Sequence, residues 1–168
     1  NGSYIDIGGW DSVTTGKSAS LTMSGNATLT TGVADESCDL RIGNFIDGTL
    51  TMQDDAYINS WNLKIGIEPG VSGHVQLDGG TIETKYFLMR KKVDSLGTMD
   101  VNGNGKLIIH RTYDSEAELD DWKFVIGQYI SNDWIYTSTV GNEILADHDF
   151  VWQLDPDAGY DRWMGTTT

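Results

Sequence analysis

Apolar and polar residues alternate in short bursts along this chain, and the bursts recur in a fixed order. A first motif reads Ile5-Asp6-Ile7-Gly8, Leu40-Arg41-Ile42-Gly43, Leu63-Lys64-Ile65-Gly66 and Phe124-Val125-Ile126-Gly127, and Phe87-Leu88-Met89-Arg90 is a copy without the glycine. A second reads Leu21-Thr22-Met23, Leu50-Thr51-Met52, Val75-Gln76-Leu77 and Met99-Asp100-Val101. A third, shorter one follows as Ala27-Thr28-Leu29, Ala56-Tyr57-Ile58, Thr81-Ile82 and Lys106-Leu107-Ile108-Ile109. Period-two alternation sends Ile5 and Ile7, or Leu50 and Met52, to one face of a strand.

The spacings agree between motifs. Ile65 to Met89 and Leu77 to Val101 are both 24 residues, and Met52 to Leu77 is 25. Three unlike strands in constant order at a constant period predict a right-handed parallel β-helix of four or five coils, with about 24 residues and three short strands per coil. Stacked coils bury the apolar faces in shared columns. Ser24-Gly25-Asn26, Asp78-Gly79-Gly80 and Asn102-Gly103-Asn104-Gly105 supply sharp polar corners. A meander of hairpins in a sandwich or barrel would alternate in the same way, but does not call for the fixed period. The chain reads as one domain, with repeat coils over 1–127 and a divergent closing coil and C-terminal cap over 128–168.

Composition narrows the function. The 168 residues carry 25 Asp plus Glu against 11 Lys plus Arg, a net charge of −14. Phosphate binding needs a positive footprint, so nucleic acid is not an expected partner. No apolar run approaches the ~20 residues of a membrane span, and no membrane partner is expected. The lone Cys38 reads as a buried small apolar residue. No signal peptide is visible, and the start at Asn1-Gly2-Ser3 falls mid-pattern, as in an excised module or mature fragment.

The repeat resembles β-helix repeats of secreted bacterial proteins, of the autotransporter-like and PEP-CTERM-associated type. The residues that carry the resemblance are Leu63-Lys64-Ile65-Gly66, the stretch from Gly73 to Ile82, and Gly97-Thr98-Met99-Asp100-Val101. Gly127 to Ile135 resembles the segment that closes such arrays, whereas the tail from Ile144 to Thr168 departs from the pattern. The resemblance implies a secreted or cell-surface location, with polysaccharide-active domains of a larger protein as neighbours. It implies no fixed active site.

Function in a solenoid sits where the repeat is interrupted. Three interruptions stand out: 9–20 with Trp10, 30–39, and 110–123 with Tyr113, Asp120, Asp121 and Trp122. The last two follow the third strand, beside Tyr57 and Trp61. A trough with Trp61 as floor and acidic, aromatic loops as walls suits a glycan: rings stack on pyranose C–H faces, and carboxylates and amides accept hydroxyl hydrogen bonds. The same aromatics can instead shield the open ends of the stack, and Trp134, Trp152 and Trp163 are read as doing so. Arg41 and Lys64, at equivalent outward positions, with Arg90, Lys91 and Lys92 on the next coil, form a basic stripe. It reads either as a solvated ladder or as a site for an anionic polysaccharide.

Catalytic signatures are missing. No Ser-His-Asp or Cys-His pattern is present, and His74, His110 and His148 lack ligand spacing for zinc. Calcium is the more plausible metal, with Asp114, Glu116, Glu118, Asp120 and Asp121 in one stretch and Asp155, Asp157 and Asp161 in the tail, but neither group matches a calcium loop. The expected function is therefore non-catalytic carbohydrate binding with no required cofactor. A structural spacer or adhesin segment is the alternative, and a polysaccharide lyase or glycoside hydrolase the third reading.

Overall fold

The computed structural model describes residues 4–9, 16–31, 38–110, 116–138, 150–154 and 163–167, with backbone alone at 116–120, 122–123, 150–154 and 163–167. The strands are β1 (Tyr4–Ile7), β2 (Ser18–Met23), β3 (Thr28–Thr31), β4 (Asp39–Ile42), β5 (Asp47–Met52), β6 (Tyr57–Ile65), β7 (Ser72–Leu77), β8 (Thr81–Met89), β9 (Leu96–Val101) and β10 (Lys106–Ile109). Helix α1 (Glu116–Ser131) follows, then β11 (Ile135–Tyr136), β12 (Phe150–Leu154) and β13 (Trp163–Thr167). They form a parallel β-solenoid of about three turns. One sheet runs β1-β4-β6-β8-β10-β13-β12, with β3 also on β6; the other runs β11-β9-β7-β5-β2.

The repeat registers found in the sequence are the pairing registers. Leu40 pairs with Leu63 and Leu63 with Phe87; Leu50 pairs with Val75 and Val75 with Met99. These columns are almost fully shielded, as are Ile58 and Ile82. Each such side chain contributes about 1.5–3 kcal/mol by leaving water. Cys38 is buried and free.

Two details depart from three separate strands per coil. In the regular coils the third motif of one turn and the first motif of the next run together into nine-residue strands, β6 and β8. The burial alternation slips in mid-strand, where Trp61-Asn62 and Lys85-Tyr86 both face out. Ile58 to Leu63 and Ile82 to Phe87 are odd separations, so a flat strand would put each pair on opposite faces. Turning the chain at Trp61-Asn62 returns both to the core. At this corner Thr84 Oγ1 donates to the carbonyls of Trp61 and Tyr86, at 3.3 and 2.9 Å. The stacked hydroxyls of Thr31 and Ser60 are buried with no partner among the described residues.

The glycine ending the first motif has a steric cause. Gly43 has φ of 70°, and a Cβ there would meet the Ser72 carbonyl oxygen and lie 2.6 Å from Gly73 N and Cα. Arg90 stands at the same place, also left-handed with φ of 49°. Its guanidinium lies 4.2 Å from the Trp134 ring centroid and Nε donates to Gly97 O at 3.1 Å.

The C-terminal end is closed by three devices. The stretch expected to be a loop followed by a first-motif strand at Phe124-Val125-Ile126-Gly127 is instead α1, which removes one coil from the expected count. Glu, Ala, Leu and Lys favour helix, and acidic residues suit its positive end. Ile126, Tyr129 and Ile130 share one face and pack on the core. The boundary drawn at residue 127 falls inside this helix. α1 ends in a left-handed Asp133 (φ 57°), with Trp134 N donating to Tyr129 O and Asp133 N to Ile130 O. Tyr129 stacks on Trp134 at 5.6 Å, the apolar contact typical of such a helix end. Trp134 thus serves as an end cap; the side chains of Trp152 and Trp163 lie outside the described residues. Second, β11 lies parallel on β9, pinned by Ser138, whose N donates to Asp100 Oδ1 and Asn102 Oδ1 and whose hydroxyl donates to Asp100 Oδ2. Third, β13 lies antiparallel on β10, which ends the parallel pairing of that sheet.

Candidate functional site on the outer face of the first-motif column

In the first-motif half of the larger sheet, outward residues form two rows across the strands. Register places Tyr4, Asp39, Asn62 and Tyr86 in one row, and Asp6, Arg41, Lys64 and Leu88 in the next. Three strand spacings separate Tyr4 from Tyr86, about 14 Å. Both tyrosines are exposed, at 42% and 44%.

Asp39 organises the centre. Only 4% exposed, it accepts from Arg41 Nε and Nη2 at 2.9 and 2.7 Å, from Asn62 Nδ2 at 2.7 Å and from Lys64 Nζ at 2.7 Å. Burial pushes its carboxyl up, but the hydrogen bonds and charges of Lys64 and Arg41 outweigh this and hold it below the usual range. Asp6 shifts the other way: burial raises it, and Arg41, 4.0 Å away, only partly opposes that. Arg41 also lies over the Tyr4 ring at 3.9 Å. The result is a hydrogen-bonded polar platform between two exposed rings.

The corner beside it holds Trp61. Tyr86 leans against Trp61 at 6.2 Å and 43°, and Lys85 Nζ lies 3.9 Å from the Trp61 ring centroid. Trp61 is therefore part of a corner cluster rather than an open floor. On the opposite side, where the chain turns after the strands, Arg41, Asn44, Phe45, Lys64, Ile67, Glu68 and Lys91 line a cleft of about 290 Å³.

Of the residues singled out in the sequence, Arg41, Lys64 and Trp61 come together on this face. Tyr57 lies beyond the corner on the third-motif half, where its hydroxyl bonds Glu83; burial, then that carboxylate, raises the phenol above its ordinary range. Glu83 also meets His110 Nε2 at 3.2 Å. Arg90 is not in the basic stripe: the residue in register with Lys64 is Leu88, and Arg90 belongs to the cap contact with Trp134 and Gly97. Asp121 is exposed on α1. Trp10, Tyr113, Asp114 and the tail acids Asp155, Asp157 and Asp161 lie outside the described residues, as do the side chains of Asp120 and Trp122.

Tyr4, Asn62 and Tyr86 were missed in the sequence, although the signal was present. Each stands immediately before an aligned first-motif copy, so the repeat alignment already places them in one row with Asp39. Among the described residues no group of three or more His, Cys, Asp or Glu side chains could hold a metal ion, and no helix is long and apolar enough to cross a membrane. Neither family models, nor curated proteins, nor solved structures match this chain.

Proposed function

We propose that this solenoid is a non-catalytic carbohydrate-binding module, and that a glycan chain lies along the row from Tyr4 to Tyr86. The observation that carries this reading is two exposed aromatic rings flanking a hydrogen-bonded array of amide, carboxylate and cationic groups on a parallel sheet. Rings offer stacking surface to pyranose C–H faces, and the amide and cationic groups between them offer donors to hydroxyl oxygens. Strand spacing is comparable to the length of one sugar unit, so an extended chain meets equivalent positions on successive coils. The reading is non-catalytic because Asp6 and Asp39 are already engaged by Arg41, Lys64 and Asn44, which leaves neither placed as a free acid or base. No calcium is needed for it. A secreted or cell-surface setting, within a larger bacterial polysaccharide-active protein, is part of the proposal and rests on the resemblance of the repeats.

The test is affinity electrophoresis in gels containing a panel of soluble polysaccharides. At least one should retard the protein. Tyr86→Ala and Trp61→Ala should each weaken that retardation about two- to tenfold, the scale of one aromatic contact, with an unchanged far-ultraviolet spectrum. Absence of retardation by every glycan would sink the proposal, and release of reducing ends or unsaturated products would turn it into a lyase or hydrolase. The second reading is a structural spacer or adhesin segment. It is favoured by β1, β2 and β3, which have neighbours on one side only among the described strands.

A further inference from the structure

We infer that the glycan bound on this face is acidic, and that the cleft lined by Arg41, Lys64 and Lys91 receives a carboxylate or sulfate carried by one of its sugar units. The inference rests on the carbohydrate reading above and names the substrate class of the same site.

The charge distribution points there. The chain as a whole carries −14 and has only 11 Lys plus Arg, yet three of these side chains line a single cleft. One cation of the cleft is left over, Lys91. Arg41 and Lys64 are matched by two carboxylates, Asp39 at hydrogen-bond distance and Asp6 at 4.0 Å from Arg41. Glu68, the acid in the cleft lining, is bonded by Lys92, at 2.7 and 2.5 Å through its two oxygens. Lys91 has no ion-pair partner among the described residues and is exposed. A ligand anion entering the cleft would supply the counter-charge that Lys91 lacks, with Lys64 beside it.

The remaining lining fits a sugar rather than a bare ion. Phe45 and Ile67 give an apolar wall and Asn44 an amide, the mixture expected for a ring carrying one charged group. The lining comes from three successive coils: Arg41, Asn44 and Phe45 from the first, Lys64 and Ile67 from the second, Lys91 from the third. The cleft therefore runs across the strands, in the same direction as the row from Tyr4 to Tyr86. One polymer can stack along the row and turn its acidic substituents into the cleft. This gives the basic stripe a location that the sequence did not: it bends at Lys64 into the turn at Lys91 and does not continue to Arg90.

The experiment compares polymers that share a backbone and differ in charge: polygalacturonate against its highly methyl-esterified form, and dextran sulfate against dextran. Polyglutamate serves as a polyanion without sugar. Binding is measured by affinity electrophoresis and by calorimetry at two salt concentrations. The expected result is binding to one acidic member of a pair, at least tenfold weaker binding to its neutral counterpart, and loss of about tenfold on Lys91→Glu, the scale of one charge-assisted contact. Lys91 lies in an exposed turn, so its variant should keep the fold; Lys106→Glu, on the other half of the sheet, should bind like the parent protein. Which acidic polymer binds distinguishes a carboxylate from a sulfate. Equal binding of charged and uncharged partners overturns this inference while leaving the carbohydrate reading intact. Polyglutamate binding as tightly as the acidic glycan also overturns it, and binding to none of the polymers removes both.

Discussion

The stacking of coils rests on the glycine that ends the first motif, and replacing Gly43 by alanine tests this quantitatively. Two costs add at that position. A left-handed backbone is unfavourable for alanine by roughly 1–2 kcal/mol. The new Cβ would also meet the Ser72 carbonyl and stand 2.6 Å from Gly73 N and Cα, all backbone of the next coil. Backbone cannot rotate away as a side chain would, and such overpacking costs about 1–3 kcal/mol. The expected destabilisation of Gly43→Ala is thus about 2–5 kcal/mol. Gly25 separates the two costs: its φ is 62°, but nothing lies within 4 Å of the added Cβ. Gly25→Ala should cost only the backbone share, roughly 1–2 kcal/mol. Gly127 lies in α1 with equally open space, and its alanine variant should be about 1 kcal/mol more stable than the parent. Urea unfolding followed by tryptophan fluorescence gives the three values. If Gly43→Ala and Gly25→Ala agree within about 0.5 kcal/mol, the error of additive comparison, the close approach of coils is not what selects glycine.

Other parts of the structure make separate commitments. Asp39→Asn should destabilise the protein by about 1–3 kcal/mol at neutral pH, because Arg41 and Lys64 lose their shared carboxylate while retaining some access to water. Since the folded-state pKa of Asp39 is lowered, its contribution is present above the unfolded value and is lost as pH falls through the folded one; parent and variant should converge in strongly acidic unfolding experiments. Ser60→Ala should be neutral or stabilising, because a buried hydroxyl without a partner is removed; a loss above about 1 kcal/mol in thermal melts would show that the hydroxyl is bonded. Arg90→Ala keeps the left-handed backbone but loses the Trp134 and Gly97 contacts, and should cost about 1–2 kcal/mol in urea unfolding without altering glycan retardation. Ile126→Ala, in the helix that closes the stack, should cost about 2–4 kcal/mol and raise binding of a hydrophobic dye by exposing the end of the core.

The scaffold was readable because a solenoid writes its pairing register into its repeat. Once Leu40, Leu63 and Phe87 are aligned, the strand neighbours and core columns follow. The helix was misread because Val125-Ile126-Gly127 mimics the first motif locally. Ser115-Glu116-Ala117-Glu118 carries the S-x-x-E spacing of a helix start, and Ile126, Tyr129 and Ile130 have helical spacing; both outweigh a three-residue likeness. The site was only partly readable. Arg41 and Lys64 were visible as equivalent outward positions, but their convergence on Asp39 depends on side-chain reach across strands. Arg90 misled because sequence neighbours on the next coil need not share a face: a left-handed turn at that residue takes it off the strand and under Trp134. Lys91, one residue on, reaches the cleft instead.

The central claim is that ligand meets the outer face of the first-motif column. Backbone amide shifts in an isotope-labelled sample, titrated in turn with oligogalacturonate and with sulfated dextran oligosaccharides, test it most directly. Perturbations are expected to concentrate at Asn62, Lys64, Tyr86 and Lys91, with the opposite half of the sheet around Tyr57, Glu83 and His110 unchanged. Perturbations confined to that opposite half, or none with either ligand at saturation, would contradict it.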